Sequence, residues 1–137
     1  MPLPTVHEAI INLMVITSAA DRDMTDIELA RIGDVVKTWP IFVDFDSDEL
    51  LDAARACQVL LQRKGGLNKA LTEAAQAIPL HLQDTAYAAA FEVAAVDLEM
   101  RMEEARIMQM LRGHLELDPA ICTAIERAAK ARHRMLG

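Results

Sequence analysis

The chain has 137 residues, 53% of them apolar and 26% charged, with a formal net charge of −7 at pH 7. At this length folding buries roughly 68% of the unfolded surface, enough for a core without disulfide staples, and the apolar share excludes intrinsic disorder. The negative charge repels phosphate backbones and anionic headgroups over at least a Debye length, so no nucleic-acid partner is expected. No basic segment followed by an apolar one opens the sequence, and the most apolar stretch, Ala86 to Val96, is interrupted by Glu92 and is far short of the ~20 residues of a membrane span. The expectation is a cytoplasmic protein without membrane insertion, folded as one domain over residues 1–137.

Helical periodicity runs through almost the whole chain, and strand-like alternation is nearly absent. With few aromatics, the core must be built from Ala, Leu, Ile, Val and Met. Val6, Ile10, Leu13, Met14 and Thr17 mark a first helix over about residues 4–19. Leu29, Ile32 and Val36 mark a second over 25–38, ended near Trp39 because Pro40 disfavours helical backbone in the residue before it. An acidic loop, Asp44 to Glu49, leads to a third helix over 48–63 that aligns Leu50, Ala54, Cys57 and Leu61. Gly65-Gly66 breaks it. A short fourth helix, 67–77, stacks Leu67, Ala70, Leu71 and Ala74 ahead of Pro79. The fifth, 80–96, is apolar nearly all round in its second half, the mark of a central helix. The sixth covers 101–115. Asp118-Pro119 reads as an N-cap followed by an N1 proline and opens a seventh helix carrying Ile121, Ile125, Ala128 and Leu136. The fold class is thus all-α, a bundle of about seven helices.

One motif occurs twice, 76 residues apart. Ala20-Asp21-Arg22-Asp23-Met24, then Glu28 and Ile32, recurs as Val96-Asp97-Leu98-Glu99-Met100, then Glu104 and Met108. Alanines precede both copies. Helices one and two, and five and six, therefore read as repeated hairpins with acidic turns at equivalent places. In the first copy Thr25-Asp26-Ile27-Glu28 fits a capping box, which accounts for Glu28. In the second, Arg101 occupies the cap position and cannot accept a hydrogen bond, so capping does not account for Glu104. Met24, Glu28 and Ile32 share a helix face at i, i+4 and i+8, as do Met100, Glu104 and Met108, which puts each glutamate beside a core-facing stripe where it needs a partner. Asp21, Asp23 and Glu28, or Asp97, Glu99 and Glu104, could converge on a hard cation such as Ca²⁺ or Mg²⁺; capping and salt bridging are the alternative. Glu92, seven residues before Glu99, either joins the second acidic site or forms an internal ion pair.

Other chemistries lack their signatures. Asp44, Asp46 and Asp48 imitate the start of an EF-hand, but Glu49 stands where Gly is required and Arg55 where Glu is. His7, His81, His114 and His133 have no metal-site spacing. There is no nucleophile elbow and no Gly-rich phosphate loop. Cys57 and Cys122 sit inside helical patterns as reduced core residues. The methionines Met100, Met102, Met108 and Met110 read as core filling. The basic residues Arg127, Lys130, Arg132, His133 and Arg134 read as a solvated last helical turn that opposes the helix dipole.

On its two acidic turns, Ala19-Ala20-Asp21-Arg22-Asp23-Met24 with Glu28 and Ala95-Val96-Asp97-Leu98-Glu99-Met100 with Glu104, the chain resembles the TerB-like (tellurite resistance) family over about residues 6–134. It departs from that family's pattern at Arg22 and Leu98, where glycine is usual. The resemblance implies a TerB-type bundle of about seven helices linked to tellurite resistance and metal-related stress responses, in some members as partners of membrane-associated complexes. The functional expectation is a non-enzymatic module that binds or senses a divalent cation through the paired turns, or docks a protein partner there. A small metal-dependent hydrolase using the carboxylate cluster is the alternative, for which the sequence offers no histidine partner.

Overall fold

A computed structural model describes residues 3–19, 23–95 and 102–137, with backbone only at 95 and 102–104. Among these residues there are seven α-helices and no strand: α1 (Val6–Ala19), α2 (Asp26–Thr38), α3 (Leu50–Leu61), α4 (Gly66–Ala77), α5 (Gln83–Ala95), α6 (Met102–His114) and α7 (Pro119–Arg132). The all-α bundle of about seven helices forms as expected. Where the sequence pattern starts α3 and α5 early, the chain instead makes 3-10 turns, Ser47–Glu49 and Leu80–Leu82, that run into those helices.

Local chemistry fixes most helix ends. Thr25 is the N-cap of α2: its side chain accepts from the Glu28 N–H at 3.2 Å while Glu28 Oε1 accepts from the Thr25 N–H at 2.9 Å, so two otherwise unpaired donors are satisfied at once. Thr5 and Glu8 exchange the same pair of bonds at the start of α1. Trp39, ahead of Pro40, is extended (φ −82, ψ 134) and ends α2. Between α3 and α4, Gly65 adopts φ +72, which a side chain would strain, and Gly66 lies so close to α3 that a Cβ would fall 1.9 Å from the Leu60 carbonyl oxygen. Asp118 caps α7 by accepting the Ala120 N–H at 2.8 Å, with Pro119 in the first turn.

Buried residues of all seven helices form one core cluster. Two helices share its centre. α5 is one, as its apolar second half indicates, burying Ala86, Tyr87, Ala89, Ala90, Phe91, Val93 and Ala94. The other is α1, which packs against α2, α3, α4, α5 and α6 and buries Ile11, Val15, Ile16, Thr17 and Ser18 besides its expected stripe. The two hydroxyls there are satisfied within the helix, Thr17 to Leu13 O at 2.8 Å and Ser18 to Met14 O at 2.9 Å.

The helix boundaries repeat. α1 ends at Ala19 and α5 at Ala95, α2 begins at Asp26 and α6 at Met102, and these two end at Thr38 and His114, each pair separated by the same 76 residues as the acidic motif. Packing repeats too: exchanging α1 with α5, α2 with α6 and α3 with α7 converts the α1·α3 contact into α5·α7 and α1·α6 into α5·α2, as two related units packed about an approximate twofold would.

The seventh helix corrects the expectation drawn from its sequence. It stops at Arg132, so Leu136 lies beyond it, fully exposed, and the buried stripe is Cys122, Ile125 and Ala129 in place of Ile121, Ile125 and Ala128; Ile121 is 44% exposed. The cause is rotation: Cys122 and Ala129, seven positions apart, face α5, which turns Ile121 and Ala128 outward.

Candidate functional site

The first acidic turn leads into α2. Met24 packs against the core just before the Thr25 cap, which sets where the turn ends, and Leu29 and Ile32 continue that stripe inward. Glu28 lies on this stripe, half-buried, and its Oε1 takes both the backbone N–H and the hydroxyl of Thr25, at 2.9 and 3.1 Å. Asp23 is exposed; neither it nor Glu28 is a free carboxylate. Asp21, Asp97 and Glu99 lie outside the described residues, as does the side chain of Glu104, although the start of α6 at Met102 places Glu104 in its first turn, as Glu28 is in the first turn of α2. Among the described residues, no three His, Cys, Asp or Glu side chains stand together as a metal-binding group.

Glu92 projects from α5 toward the end of α7. Its Oε2 accepts from Arg132 Nη2 at 2.7 Å and its Oε1 pairs with His133 Nε2, which is the internal ion pair named above as the alternative to a place in the acidic site. Burial pushes this carboxyl up, but the hydrogen bonds from Arg132 and His133 outweigh it and hold Glu92 below the ordinary 4.5. Arg132 and His133 are therefore not simply a solvated last turn; they fasten the end of α7 to α5. Beside them a cleft of about 200 Å³ opens toward α2, lined by Arg31, Asp34, Thr38 and Trp39.

A second polar cluster escapes the sequence reading. Tyr87, fully buried in α5, donates its hydroxyl to Glu126 Oε2 on α7 and accepts from Arg112 Nε on α6 at 3.0 Å, while Arg112 Nη2 also pairs with Glu126. Burial and the Glu126 hydrogen bond raise the Tyr87 pKa, and the Glu126 hydrogen bond raises that of Arg112. The three groups satisfy one another and tie α5, α6 and α7 together. The available signal was a lone tyrosine in an otherwise apolar helix, since a buried phenol must find a partner.

The histidines and cysteines behave structurally. His7 Nε2 bonds Ile41 O at 2.8 Å and stacks on Phe42, and His114 Nδ1 bonds Met110 O at 2.9 Å. Cys57 and Cys122 are buried free thiols; burial pushes Cys57 up to about 12 and also raises Cys122, so neither is a ready thiolate. No helix of the described residues is long and apolar enough to cross a membrane. No family model, curated protein or solved structure matches this chain.

Proposed function

We propose that the chain is a non-enzymatic helical module of the TerB-like, tellurite-resistance and stress-response kind, which binds or senses a divalent cation, Ca²⁺ or Mg²⁺, through its two acidic turns. The observation that carries this reading is the coincidence of motif and architecture: each acidic motif falls in the connection, 20–25 or 96–101, between helices whose boundaries repeat at the motif's own 76-residue spacing. Carboxylates are the ligands hard cations take, with carbonyl and water oxygens completing the shell. The second turn is the stronger candidate. Glu28 is occupied by the Thr25 capping box and has Arg22 nearby in sequence, whereas Arg101 and Leu98 stand at the corresponding places beside Glu104.

A second reading, docking of a protein partner at the same surface, is favoured by Ile27, a large apolar side chain 66% exposed between the acidic residues Asp26 and Glu28. Calorimetric titration of the metal-stripped protein with Ca²⁺, Mg²⁺, Mn²⁺ and Zn²⁺ separates the two. Saturable heat with a hard cation supports the metal site; no heat with any of the four leaves the docking surface.

A further inference from the structure

Where α4 hands the chain to α5, a cleft of about 480 Å³ opens, lined among others by Thr72, Pro79, Leu80, Gln83, His114 and Glu116. This volume falls within the range of small-ligand sites. Gln83 sets the cleft apart. It is only 4% exposed, and its Oε1 accepts the Glu116 backbone N–H at 2.7 Å, which fixes which end of the amide is oxygen. Its Nε2 has no hydrogen-bond partner among the described residues, yet no buried side-chain nitrogen or oxygen there is left unsatisfied, so this NH₂ group opens to the cleft it lines. His114 offers the complementary group: Nδ1 gives its proton to Met110 O, which leaves Nε2 of the neutral ring as an acceptor. Leu80, 66% exposed, and Pro79 add an apolar wall.

We propose that this cleft binds a ligand presenting an amide edge, a carbonyl oxygen next to an N–H, on an apolar body. The carbonyl takes the Gln83 NH₂, the N–H gives to His114 Nε2, and Leu80 covers the apolar part. A carboxylate ligand would meet the Glu116 carboxylate and the net negative charge of the chain, and an ammonium ligand would leave the Gln83 donor unpaired. An amide edge meets both groups without a net charge. The site is separate from the acidic turns, and its success or failure does not depend on them.

The test is an NMR titration of the full ¹⁵N-labelled chain at neutral pH with ε-caprolactam, with ε-caprolactone, which keeps the carbonyl but lacks the N–H, and with N-acetyl-leucine N-methylamide. Saturable shifts of the Gln83 side-chain NH₂ and of His114 are expected with both amides. The lactone should bind at least threefold more weakly than the lactam. Gln83→Glu keeps an oxygen for the Glu116 N–H but replaces the donor, and should weaken amide binding about tenfold. Leu80→Lys, at an exposed position that leaves the fold intact, should weaken it too. Tighter binding of the leucine amide than of the lactam identifies a peptide segment as the natural source, and the reverse identifies a free small molecule. No saturation with either amide, a lactone as tight as the lactam, or binding indifferent to both substitutions overturns the proposal.

Discussion

Asp46 and Asp118 do the same work 72 residues apart: each turns Oδ1 onto the backbone N–H two residues ahead, at 2.9 Å to Asp48 and 2.8 Å to Ala120, and opens the helical turn that follows. Each follows an apolar residue packed against the core, Phe45 or Leu117. This match is four residues short of the 76-residue spacing of the preceding helices, because the first copy carries the extra 3-10 turn Pro40–Phe42 between α2 and the aspartate. The repeated unit thus covers three helices, α1–α3 and α5–α7. α4 is the piece without a counterpart, and it is α4 that forms one wall of the cleft around Gln83.

If the repeat carries cation binding, its two copies are not equal. Glu104→Gln should reduce the stabilisation that a divalent ion gives the fold more than Glu28→Gln does, since Glu28 already serves the Thr25 cap. An ion at 100 times its dissociation constant adds about 2.7 kcal/mol, well within reach of melting curves recorded with and without each cation. Equal losses in the two variants would remove the argument that separates them, and no response of the wild type to millimolar Ca²⁺, Mg²⁺, Mn²⁺ or Zn²⁺ would end the cation reading.

The Gly65-Gly66 pair makes a sharper claim about stability. Gly65→Ala places a side chain at φ +72 with nothing within 4 Å, so it costs only the backbone strain, about 1–2 kcal/mol. Gly66→Ala drives a Cβ to 1.9 Å from the Leu60 carbonyl oxygen, a backbone atom that cannot swing aside, and should cost at least about 3 kcal/mol. Urea unfolding of the two variants orders them; a Gly66 variant as stable as the Gly65 one would mean that α3 and α4 separate readily.

These examples show which parts of the structure are legible in the sequence. Helix ends are legible where one residue dictates the backbone, as at Pro40, Gly65, Asp118 and Pro119. The central place of α1 is not, because periodicity from Val6 to Thr17 marks one apolar face, and the burial of Ile11, Val15 and Ile16 follows from the number of helices that surround it. Likewise the i, i+4 rule relates residues within a helix and is silent on which helix lies opposite, so it could offer Glu92 two fates but could not find Arg132 and His133, some forty positions on. The acidic turns are conspicuous in the sequence as a repeat; the Gln83 cleft is invisible there, since it depends on one amide sharing its oxygen with a distant backbone N–H.

The Glu92 clasp carries a pH dependence of definite sign. Its folded pKa lies below the ordinary 4.5, so its contribution is fully present above about pH 4.5 and is lost as pH falls through the lower folded value. Glu92→Gln should cost about 1–3 kcal/mol at neutral pH, a range kept below that of fully buried pairs because the Arg132 side chain is 52% exposed. The gap between wild type and variant should close in acid. Denaturation at a series of pH values reads this directly, and a gap that stays constant down to pH 3 would show that the carboxylate's charge is not what holds the end of α7.

Tyr87 gives the last test, and the chain makes it clean because this is its only tyrosine. In the folded state burial and the Glu126 hydrogen bond raise the phenol above its ordinary 10.0. Below pH 10 both folded and unfolded chains keep the proton, so the full stabilisation is present; above it the unfolded chain ionises first, and stability falls as pH rises toward the folded value. Tyrosinate absorbance followed together with helical circular dichroism should therefore rise only as the helices unfold. Tyr87→Phe removes the donor to Glu126 and the acceptor for Arg112 but leaves the Arg112–Glu126 pair, so it should cost about 1–2 kcal/mol and leave the fold assembled. A phenol that ionises near pH 10 with the helices intact would mean that Tyr87 is open to solvent, and that the cluster does not tie α5, α6 and α7 together.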